Sequence, residues 1–349
     1  MTQLVSQMKG VVLTGHGGLD KLELRFNLDL PEPKQHEVLI RVKAAGINNT
    51  DINTRTGWYS KSDNGENDAS WSGNALAFPR IQGADVCGEI VKVGRSVEAR
   101  RVGERVLIEP CITDVNGVEV NPPWYFGSEC NGGFAEYVTV SSVHAYKVTS
   151  QFSDIELASF PCSYSTAENM LTRAKVTKSD RVLITGASGG VGSAAIQLAK
   201  ARGAKVVALT SPNKTEQIQM LGADEVVSRD LSLLDTIGKN SVDVVIDLVA
   251  GNLFTDLLQV LKPKGRYSVS GAIGGAMVAL DVRTLYLKDL SFFGCTVLEK
   301  GVFSNLVSLI EQGDIKPLIA KSFPLEDIKE AQKEFEEKNH VGKLVLNIS

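Results

Sequence analysis

The stretch ITGASGGVGSAAIQLAK, residues 184–200, places four glycines between an apolar run of strand length and a helical pattern. Gly189 and Gly192 match the last two glycines of a dinucleotide-binding fingerprint, and Ala187 stands in place of the first. Such glycines let a pyrophosphate approach the backbone and let the helix pack on the strand, and the helix N-terminus favours negative charge. We therefore predict dinucleotide binding rather than a purely structural turn. The predicted contacts are Ser188, Gly189, Gly190, Val191 and Gly192.

Length and composition indicate a two-domain protein of the cytoplasm. The 349 residues are about twice a typical domain. The net charge of −4 is spread along the chain, which argues against nucleic acid and anionic membranes as partners. No run resembles a signal peptide or a membrane span. Five dispersed cysteines predict reduced thiols rather than a disulfide framework.

The sequence pattern changes near residue 150. Before it, short β-branched runs such as EVLIRVKAAGI (37–47) alternate with Gly, Pro and Asn, which predicts a barrel or sandwich. After it, continuously apolar strands alternate with helical segments, which is typical of a doubly wound parallel sheet in an α/β domain. A polar stretch between Tyr59 and Phe78 has no periodicity, and we expect a long surface loop that is either a functional lid or disordered.

The second strand of the α/β part predicts which nucleotide is bound. NAD enzymes carry an acidic residue there for the ribose hydroxyls, but this strand ends in ALTSPNK. The absence of a carboxylate removes repulsion against a 2'-phosphate, and Ser211, Lys214 and Arg229 supply hydrogen bonds and positive charge. We therefore predict NADPH as the cofactor. The alternative is that Lys214 and Arg229 are solvated surface charges.

Several motifs together resemble the medium-chain dehydrogenase/reductase superfamily. They are AAGINNTDINTRTGWY, GADVCGEIVKVG, the glycine-rich stretch, VDVVIDLVAG and the terminal HVGKLVL. The resemblance covers nearly the whole chain. It implies a GroES-like β-barrel catalytic domain from residues 1–150 completed by 312–349, a Rossmann domain over 151–311, and a cleft where they meet.

The resemblance also bears on metal. In zinc-dependent members a cysteine ligand stands where this chain has Asn48, and a histidine where it has Ala84, while Cys162 falls at the third ligand position. One thiol without two companions does not make a catalytic zinc site. The cysteine-rich zinc lobe is also reduced to Cys111 and Cys130. We predict a metal-free enzyme that resembles the quinone oxidoreductase and enoyl reductase branches.

Without a metal to act as a Lewis acid, hydride transfer is easier to a substrate that delocalises the developing negative charge itself. Quinones and α,β-unsaturated carbonyls are such substrates. The resulting oxyanion needs hydrogen-bond donors. Asn48 offers an amide, and Tyr59 aligns with a tyrosine that enoyl reductase relatives use near the substrate. The alternatives are that Asn48 caps a turn and that Tyr59 is a half-buried aromatic.

Further contacts follow from the resemblance alone. Thr166 corresponds to a position beside the nicotinamide, or else starts a helix. Ser270, Gly271 and Ala272 correspond to backbone that holds the carboxamide. Lys343 corresponds to a basic residue near the pyrophosphate, or else protects an edge strand.

Three hypotheses of function stand at this point. The first is an NADPH-dependent, zinc-independent reductase of quinones or enones. The others are an NAD(P)-dependent alcohol dehydrogenase with unrecognised metal ligands and a non-catalytic NADPH-binding protein. By analogy with the superfamily we expect a homodimer paired through SFFGCTV (291–297).

Overall fold

The computed structural model describes residues 6–60 and 70–348, which form two compact units. The first unit contains the described residues up to Cys162, together with Pro317–Asn339 and the chain from Lys343 onward. The second unit contains Ser163–Lys316 and the tripeptide His340–Gly342. The predicted borders are 150 and 312. The first unit nevertheless continues to Cys162, because the helix at Asp154–Leu157 packs on strands of that unit.

Strands dominate the first unit. They are β1 (Gln7–Leu13), β2 (Leu22–Asp29), β3 (Glu37–Gly46), β4 (Arg80–Ile81), β5 (Cys87–Val93), β6 (Arg105–Ile108), β7 (Cys111–Val115), β8 (Val118–Tyr125), β9 (Tyr137–Ser141), β10 (Ala145–Lys147), β17 (Ile319–Pro324) and β18 (Lys343–Asn347). The helices are α1 (Asn49–Thr56), α2 (Asp154–Leu157) and α10 (Ile328–Glu337), while α3 (Pro161–Arg173) begins here and continues into the second unit.

The C-terminal strand is built into the middle of the main sheet of the first unit. Among the described residues this sheet has the order β10-β6-β5-β3-β18-β17, with β9 pairing on β3. Alternate residues of β3, such as Val38 and Ile40, face one core together with Leu344 and Leu346 of β18. Strand β18 is parallel to β17 and antiparallel to β3, so both of its edges are paired.

A histidine stabilises the hairpin β7–β8, which occupies the region of the reduced zinc lobe. His144 is buried, and its Nε2 accepts hydrogen bonds from the backbone N–H groups of Thr113 and Asp114 at 3.1 and 3.0 Å. Its Nδ1 lies 2.9 Å from the Glu109 carboxylate. This histidine therefore has a structural role.

The second unit contains a six-stranded parallel sheet. Its strands are β11 (Arg181–Ile184), β12 (Lys205–Thr210), β13 (Glu225–Ser228), β14 (Val242–Asp247), β15 (Leu261–Val269) and β16 (Ser291–Gly294). Its further helices are α4 (Gly190–Ala201), α5 (Thr215–Met220), α6 (Leu233–Ile237), α7 (Phe254–Val260), α8 (Val282–Leu287) and α9 (Val302–Gln312).

The order β13-β12-β11-β14-β15-β16 confirms the doubly wound α/β fold. Strand order reverses between β11 and β14, and the carboxyl ends of strands at such a point are where ligands bind in these sheets. Among the described residues, the helices are all too short or too polar to cross a membrane.

Candidate active site

The glycine-rich turn joins β11 to α4 in the second unit. A Cβ atom at Gly192 would lie 2.2 Å from the Gly186 carbonyl oxygen and 2.7 Å from the Ala187 Cα, so only glycine allows the helix to start this close to the strand. Gly186 itself has a φ of +57°, which also favours glycine. At Gly189 a Cβ would meet only the Gly186 oxygen at 3.5 Å, an ordinary contact. Gly192 therefore serves packing, and Gly189 leaves open space above the turn.

The turn has the geometry of an anion-binding site at a helix N-terminus. Gly189 is the N-cap of α4, Gly190 and Val191 are its first residues, and the helix is 12 residues long. The first amide groups of a helix and its dipole attract negative charge. Ser188 precedes the cap, and its carbonyl accepts a hydrogen bond from the Gly342 N–H at 3.2 Å. These residues fit a dinucleotide diphosphate.

The predicted 2'-phosphate residues lie at the carboxyl ends of β12 and β13. The backbone N–H of Arg229 donates to Thr210 O at 2.8 Å, and Ser211 caps the short turn that carries Lys214. The Lys214 Nζ donates to the His340 carbonyl at 3.0 Å. Burial, and then the like charge of Arg229, lower the pKa of Lys214. Two cations that repel each other at this edge would be stabilised by an anion between them.

The segment 270–272 follows β15 and packs against the turn after β14. The Ser270 N–H donates to the Asp247 carbonyl at 3.2 Å, and a Cβ at Gly271 would lie 2.6 Å from the Leu248 carbonyl oxygen. Ala272 accepts a hydrogen bond from Gly275 N at 3.0 Å, which closes the turn. Thr166 lies in the second turn of α3, so it does not start the helix.

A buried polar cluster in the first unit includes Asn48, one of the positions at which the family resemblance implies a zinc ligand. It consists of Asn48, Asp51, Asp85 and Lys343, and each side chain is at least nine-tenths buried. The Lys343 Nζ lies 2.8 Å from Asp85 Oδ2, 2.5 Å from Asn48 Oδ1 and 3.0 Å from the Ile47 carbonyl. Asn48 Nδ2 donates to the same Asp85 oxygen at 2.8 Å.

The two carboxylates of the polar cluster each fix backbone as well. Asp85 Oδ1 accepts from the Cys162 N–H at 2.5 Å. Asp51 accepts from the Asn48 N–H at 2.8 Å and from the Gly83 N–H at 3.2 Å. Burial, opposed by the Asn48 hydrogen bond and reinforced by Asp85, raises the pKa of Asp51 to about 7. This carboxyl therefore changes charge near neutral pH.

A phenol and a thiol group lie next to the polar cluster. The Tyr59 hydroxyl donates to Thr50 Oγ1 at 3.1 Å, and burial raises its pKa, so the phenol keeps its proton at neutral pH. Burial also raises the pKa of Cys162 to about 12, with Asp85 adding to the effect. The Cys162 Sγ lies 3.0 Å from the Tyr125 hydroxyl. A protonated, buried thiol is a poor nucleophile, so Cys162 serves packing.

Two of the predicted site residues differ from expectation. Lys343 is not an edge-strand lysine, because β18 pairs on both sides, and its ammonium is directed into the polar cluster; its contact with the pyrophosphate stays a prediction. Asn48 does cap α1, but its side chain also lies between Lys343 and Asp85. Its amide nitrogen also lies 3.5 Å from the Gly46 carbonyl oxygen.

Sequence reasoning missed four residues that build this site. They are Asp51, Asp85, Trp71 and Tyr125. Asp85 and Lys343 each stand among buried apolar residues, and such isolated charges are buried only when paired, which is a usable signal. Trp71 stacks on Tyr125 with ring centroids 4.9 Å apart, and no local pattern predicts that contact. Residues 61–69 of the predicted loop lie outside the described residues.

The donor set at the metal position does not fit zinc. Asn48 offers an amide oxygen already bonded to an ammonium, Ala84 offers a methyl group, and the Cys162 thiol is protonated at neutral pH. In the part of the chain that the structure describes, no three His, Cys, Asp or Glu side chains are grouped to hold a metal ion. Catalytic zinc needs three such ligands and a water.

Comparisons with known proteins agree with this architecture. Residues 34–150 match the family described as alcohol dehydrogenase GroES-like domain, and residues 190–312 match zinc-binding dehydrogenase. The human quinone oxidoreductase is 29% identical, and the match covers 97% of each chain. An acryloyl-coenzyme A reductase of Metallosphaera sedula is 30% identical over 97% of this chain and 99% of its own. An NAD-dependent alcohol dehydrogenase of Sulfolobus acidocaldarius is 31% identical over 98% and 100%.

A solved structure is similar along the whole chain. A candidate alcohol dehydrogenase from Sinorhizobium meliloti 1021 has a TM-score of 0.93 and 43% identity, and covers 99% of this chain and 98% of its own. The chain belongs to the medium-chain dehydrogenase/reductase superfamily, whose members bind a nicotinamide cofactor. It is an oxidoreductase of this type, and its quinone oxidoreductase and acryloyl-coenzyme A reductase relatives fit the quinone and enoyl reductase branch.

Proposed function

We propose that this protein is an NADPH-dependent reductase that transfers a hydride to a quinone or an α,β-unsaturated carbonyl without zinc. One observation supports the proposal most directly: a buried ammonium lies beside the residue at a predicted metal-ligand position. Lys343 Nζ is 2.5 Å from Asn48 Oδ1 and 2.8 Å from Asp85 Oδ2. A cation already fixed there opposes a second one, and the remaining donors are too few for zinc.

The choice of acceptor follows from the groups that remain. Bound NADPH supplies the hydride. When an enone or quinone accepts it, negative charge develops on an oxygen, and that oxygen needs hydrogen-bond donors aimed at it. Tyr59 keeps its proton at neutral pH and is the group that donates it, while the Asn48 amide is the second donor. The rings of Trp71 and Tyr125 offer an apolar wall for a flat acceptor.

The choice of NADPH over NADH rests on the edge of the sheet at β12 and β13. Ser211, Lys214 and Arg229 lie there, and the carboxylate that would bind ribose hydroxyls is missing from this strand end. The Arg229 side chain is 67% exposed, and its ion pair with Asp230 is long, at 3.9 Å, so a phosphate could compete for the guanidinium. Because the Sulfolobus relative is named as NAD-dependent, both cofactors belong in the test.

The proposal includes a homodimer formed through β16 and a compartment that keeps thiols reduced, as in the cytoplasm. Strand β16 is the last strand of the parallel sheet, and exposed apolar side chains lie on it and before it. They include Ile273, Met277, Val282, Tyr286, Leu287 and Phe292. A second copy pairing on this edge would cover them. Light scattering should give twice the chain mass, and Leu287→Glu, with its leucine 71% exposed, should give the monomer; a monomeric wild type would contradict the dimer.

The experiment that tests the function is a turnover assay with chelator-treated protein. NADPH and NADH are each offered with a panel of quinones, enones and saturated aldehydes, and absorbance of the reduced nicotinamide is followed. We expect turnover of quinones or enones with NADPH in the presence of chelator. Activity on saturated aldehydes that needs added zinc would support the alcohol dehydrogenase alternative instead. Tight NADPH binding without turnover of any acceptor would support a non-catalytic binding protein.

A further inference from the structure

Lys343 is a buried lysine in the polar cluster of the first unit. It is the first residue of β18, and its side chain is 3% exposed. Burying an ammonium costs a great deal of free energy unless it is paired and hydrogen-bonded. Here its three bonding directions are met by Asp85 Oδ2 at 2.8 Å, Asn48 Oδ1 at 2.5 Å and the Ile47 carbonyl at 3.0 Å.

The arrangement fixes which way the Asn48 amide points. An ammonium only donates, so it selects the amide oxygen, and a carboxylate only accepts, so Asp85 selects the amide nitrogen. The same ammonium withdraws charge from the amide oxygen, which strengthens the N–H groups as donors. The second N–H makes a 3.5 Å contact to the Gly46 carbonyl, at the long limit of a hydrogen bond, and a substrate oxyanion would replace that contact with a shorter one.

The Asp85–Lys343 pair also holds several chain segments of the first unit. Asp85 Oδ1 accepts from Cys162 N at the start of α3, while Lys343 bonds to Ile47 and Asn48 just before α1, the helix that leads to Tyr59. Asp51, on the first turn of α1, accepts from the Gly83 N–H. Movement of the pair would therefore displace the start of α3 and the segment that leads to Tyr59 together.

We propose that Lys343, held by Asp85, is a positioning residue of the reductase: it orients and polarises the Asn48 amide, which then donates to the oxygen that gains charge during hydride transfer. This inference rests on the proposed function for the identity of that oxygen. In this role the buried Lys343 ammonium bonds to the oxygen of the Asn48 amide, while the nitrogen of the same amide donates to the substrate oxyanion. Lys343 acts through Asn48 and need not contact substrate or cofactor.

The test is a double-mutant cycle between Lys343 and Asn48, measured on kcat. Lys343→Met should lower kcat by roughly 30-fold, a loss typical of a weakened oxyanion donor. Combined with Asn48→Ala it should cause no further loss, because both changes remove the same donor. Because Lys343→Met leaves Asp85 buried without its partner, Lys343→Met/Asp85→Asn is the version expected to fold. The matched control is Lys321→Met on the neighbouring strand β17. This change breaks the ion pair between Lys321 and Glu334 of α10.

Two further readouts separate this role from the alternatives. NADPH affinity, followed by fluorescence titration, should change less than about twofold in Lys343→Met/Asp85→Asn, since the amide and not the diphosphate is affected. A large loss of NADPH affinity with kcat retained would overturn the proposal in favour of a pyrophosphate contact. Losses of kcat that multiply in the cycle, or a lower melting temperature with normal kcat per folded molecule, would overturn it in favour of a structural role.

If no acceptor turns over, the inference can be tested by binding of a ligand that mimics the negatively charged oxygen formed on hydride transfer. p-Nitrophenol changes colour on ionisation, so absorbance reports the pKa of the bound phenol. The wild type should bind the phenolate and lower that pKa, and the shift should disappear in both Lys343→Met/Asp85→Asn and Asn48→Ala. A shift retained in the variants, or absent from the wild type, would overturn the inference; missing turnover beside a normal shift would overturn only the proposed function.

Discussion

The glycine-rich turn of the second unit and the polar cluster of the first are both candidate binding sites, built in opposite ways. The turn offers backbone groups from residues 186–192, one short stretch of chain. The polar cluster brings side chains of residues 48, 51, 85 and 343 together from across the sequence. A cofactor site made of backbone tolerates little change in its glycines, whereas a site made of side chains can exchange a metal for an ammonium and keep its fold.

Among the variants that test this comparison, we expect the largest loss of stability and cofactor binding from a substitution at Gly192. In Gly192→Ala the new Cβ would lie 2.2 Å from the Gly186 oxygen and meet backbone on both contacts, so α4 must shift away from β11. We expect a lower melting temperature together with loss of detectable NADPH binding, measured by thermal unfolding and fluorescence titration.

Gly189→Ala is the matched variant in the same turn. Its Cβ would meet only the Gly186 oxygen at 3.5 Å, so the melting temperature should stay at the wild-type value. NADPH affinity should still fall, because the methyl group would face the diphosphate. Equal melting temperatures for the two variants would contradict the packing role of Gly192, and unchanged affinity in Gly189→Ala would contradict the position of the diphosphate.

The next largest effect belongs to the first unit. Tyr59→Phe removes the proposed proton donor and should lower kcat about 100-fold with the best quinone or enone, a usual contribution of general acid catalysis. The NADPH KM should stay constant, since the cofactor residues are on other elements. Tyr137→Phe, on β9 of the same unit and packed against its core, is the control. Full turnover by Tyr59→Phe would remove this tyrosine from the chemistry.

A smaller effect tests whether side chains also determine cofactor choice in the second unit. Replacing Lys214 and Arg229 with alanine should raise the NADPH KM at least about tenfold and leave the NADH KM unchanged, because only the 2'-phosphate contacts are lost. Lys205→Ala is the control, since Lys205 lies at the opposite, amino end of β12. A parallel rise for both cofactors would place these cations elsewhere than at the 2'-phosphate.

The same contrast explains what the sequence predicts and what it does not. The parallel sheet and the glycine-rich turn leave local signals, because continuous apolar strands and closely spaced glycines are read within one window. The family resemblance implies zinc ligands at the positions of Asn48 and Ala84, and an amide and a methyl group are recognisable there from the sequence alone. The pairing of Lys343 with Asp85 was not visible, since the two are brought together only by the insertion of β18 beside β3. The sequence therefore gives no local signal for the contacts that Lys343 makes with Asp85 and Asn48.

The last prediction concerns stability rather than turnover and tests the charge of the polar cluster through Asp51. Its pKa of about 7 in the folded protein lies above the ordinary value near 3.8, so the folded state holds this proton more tightly than the unfolded chain does. The stabilising contribution is therefore complete in acid, below the unfolded pKa, and is lost as pH rises toward 7. Asp85, Lys343, Cys162 and Tyr59 are the charged or titratable groups around it, and only Lys343 favours the ionised form.

Asp51→Asn should remove that pH dependence. The free energy of unfolding of the wild type should fall relative to the variant by at most about 1.4 kcal/mol per pH unit over the interval from about pH 4 to 7, and the difference should level off above it. Denaturant unfolding at several pH values measures this, and the variant's loss of one backbone acceptor, toward Asn48 or Gly83, shifts its curve without changing its slope. Parallel curves for the two proteins would mean that Asp51 is already ionised throughout, and that the single ammonium of Lys343 stabilises both carboxylates of the polar cluster.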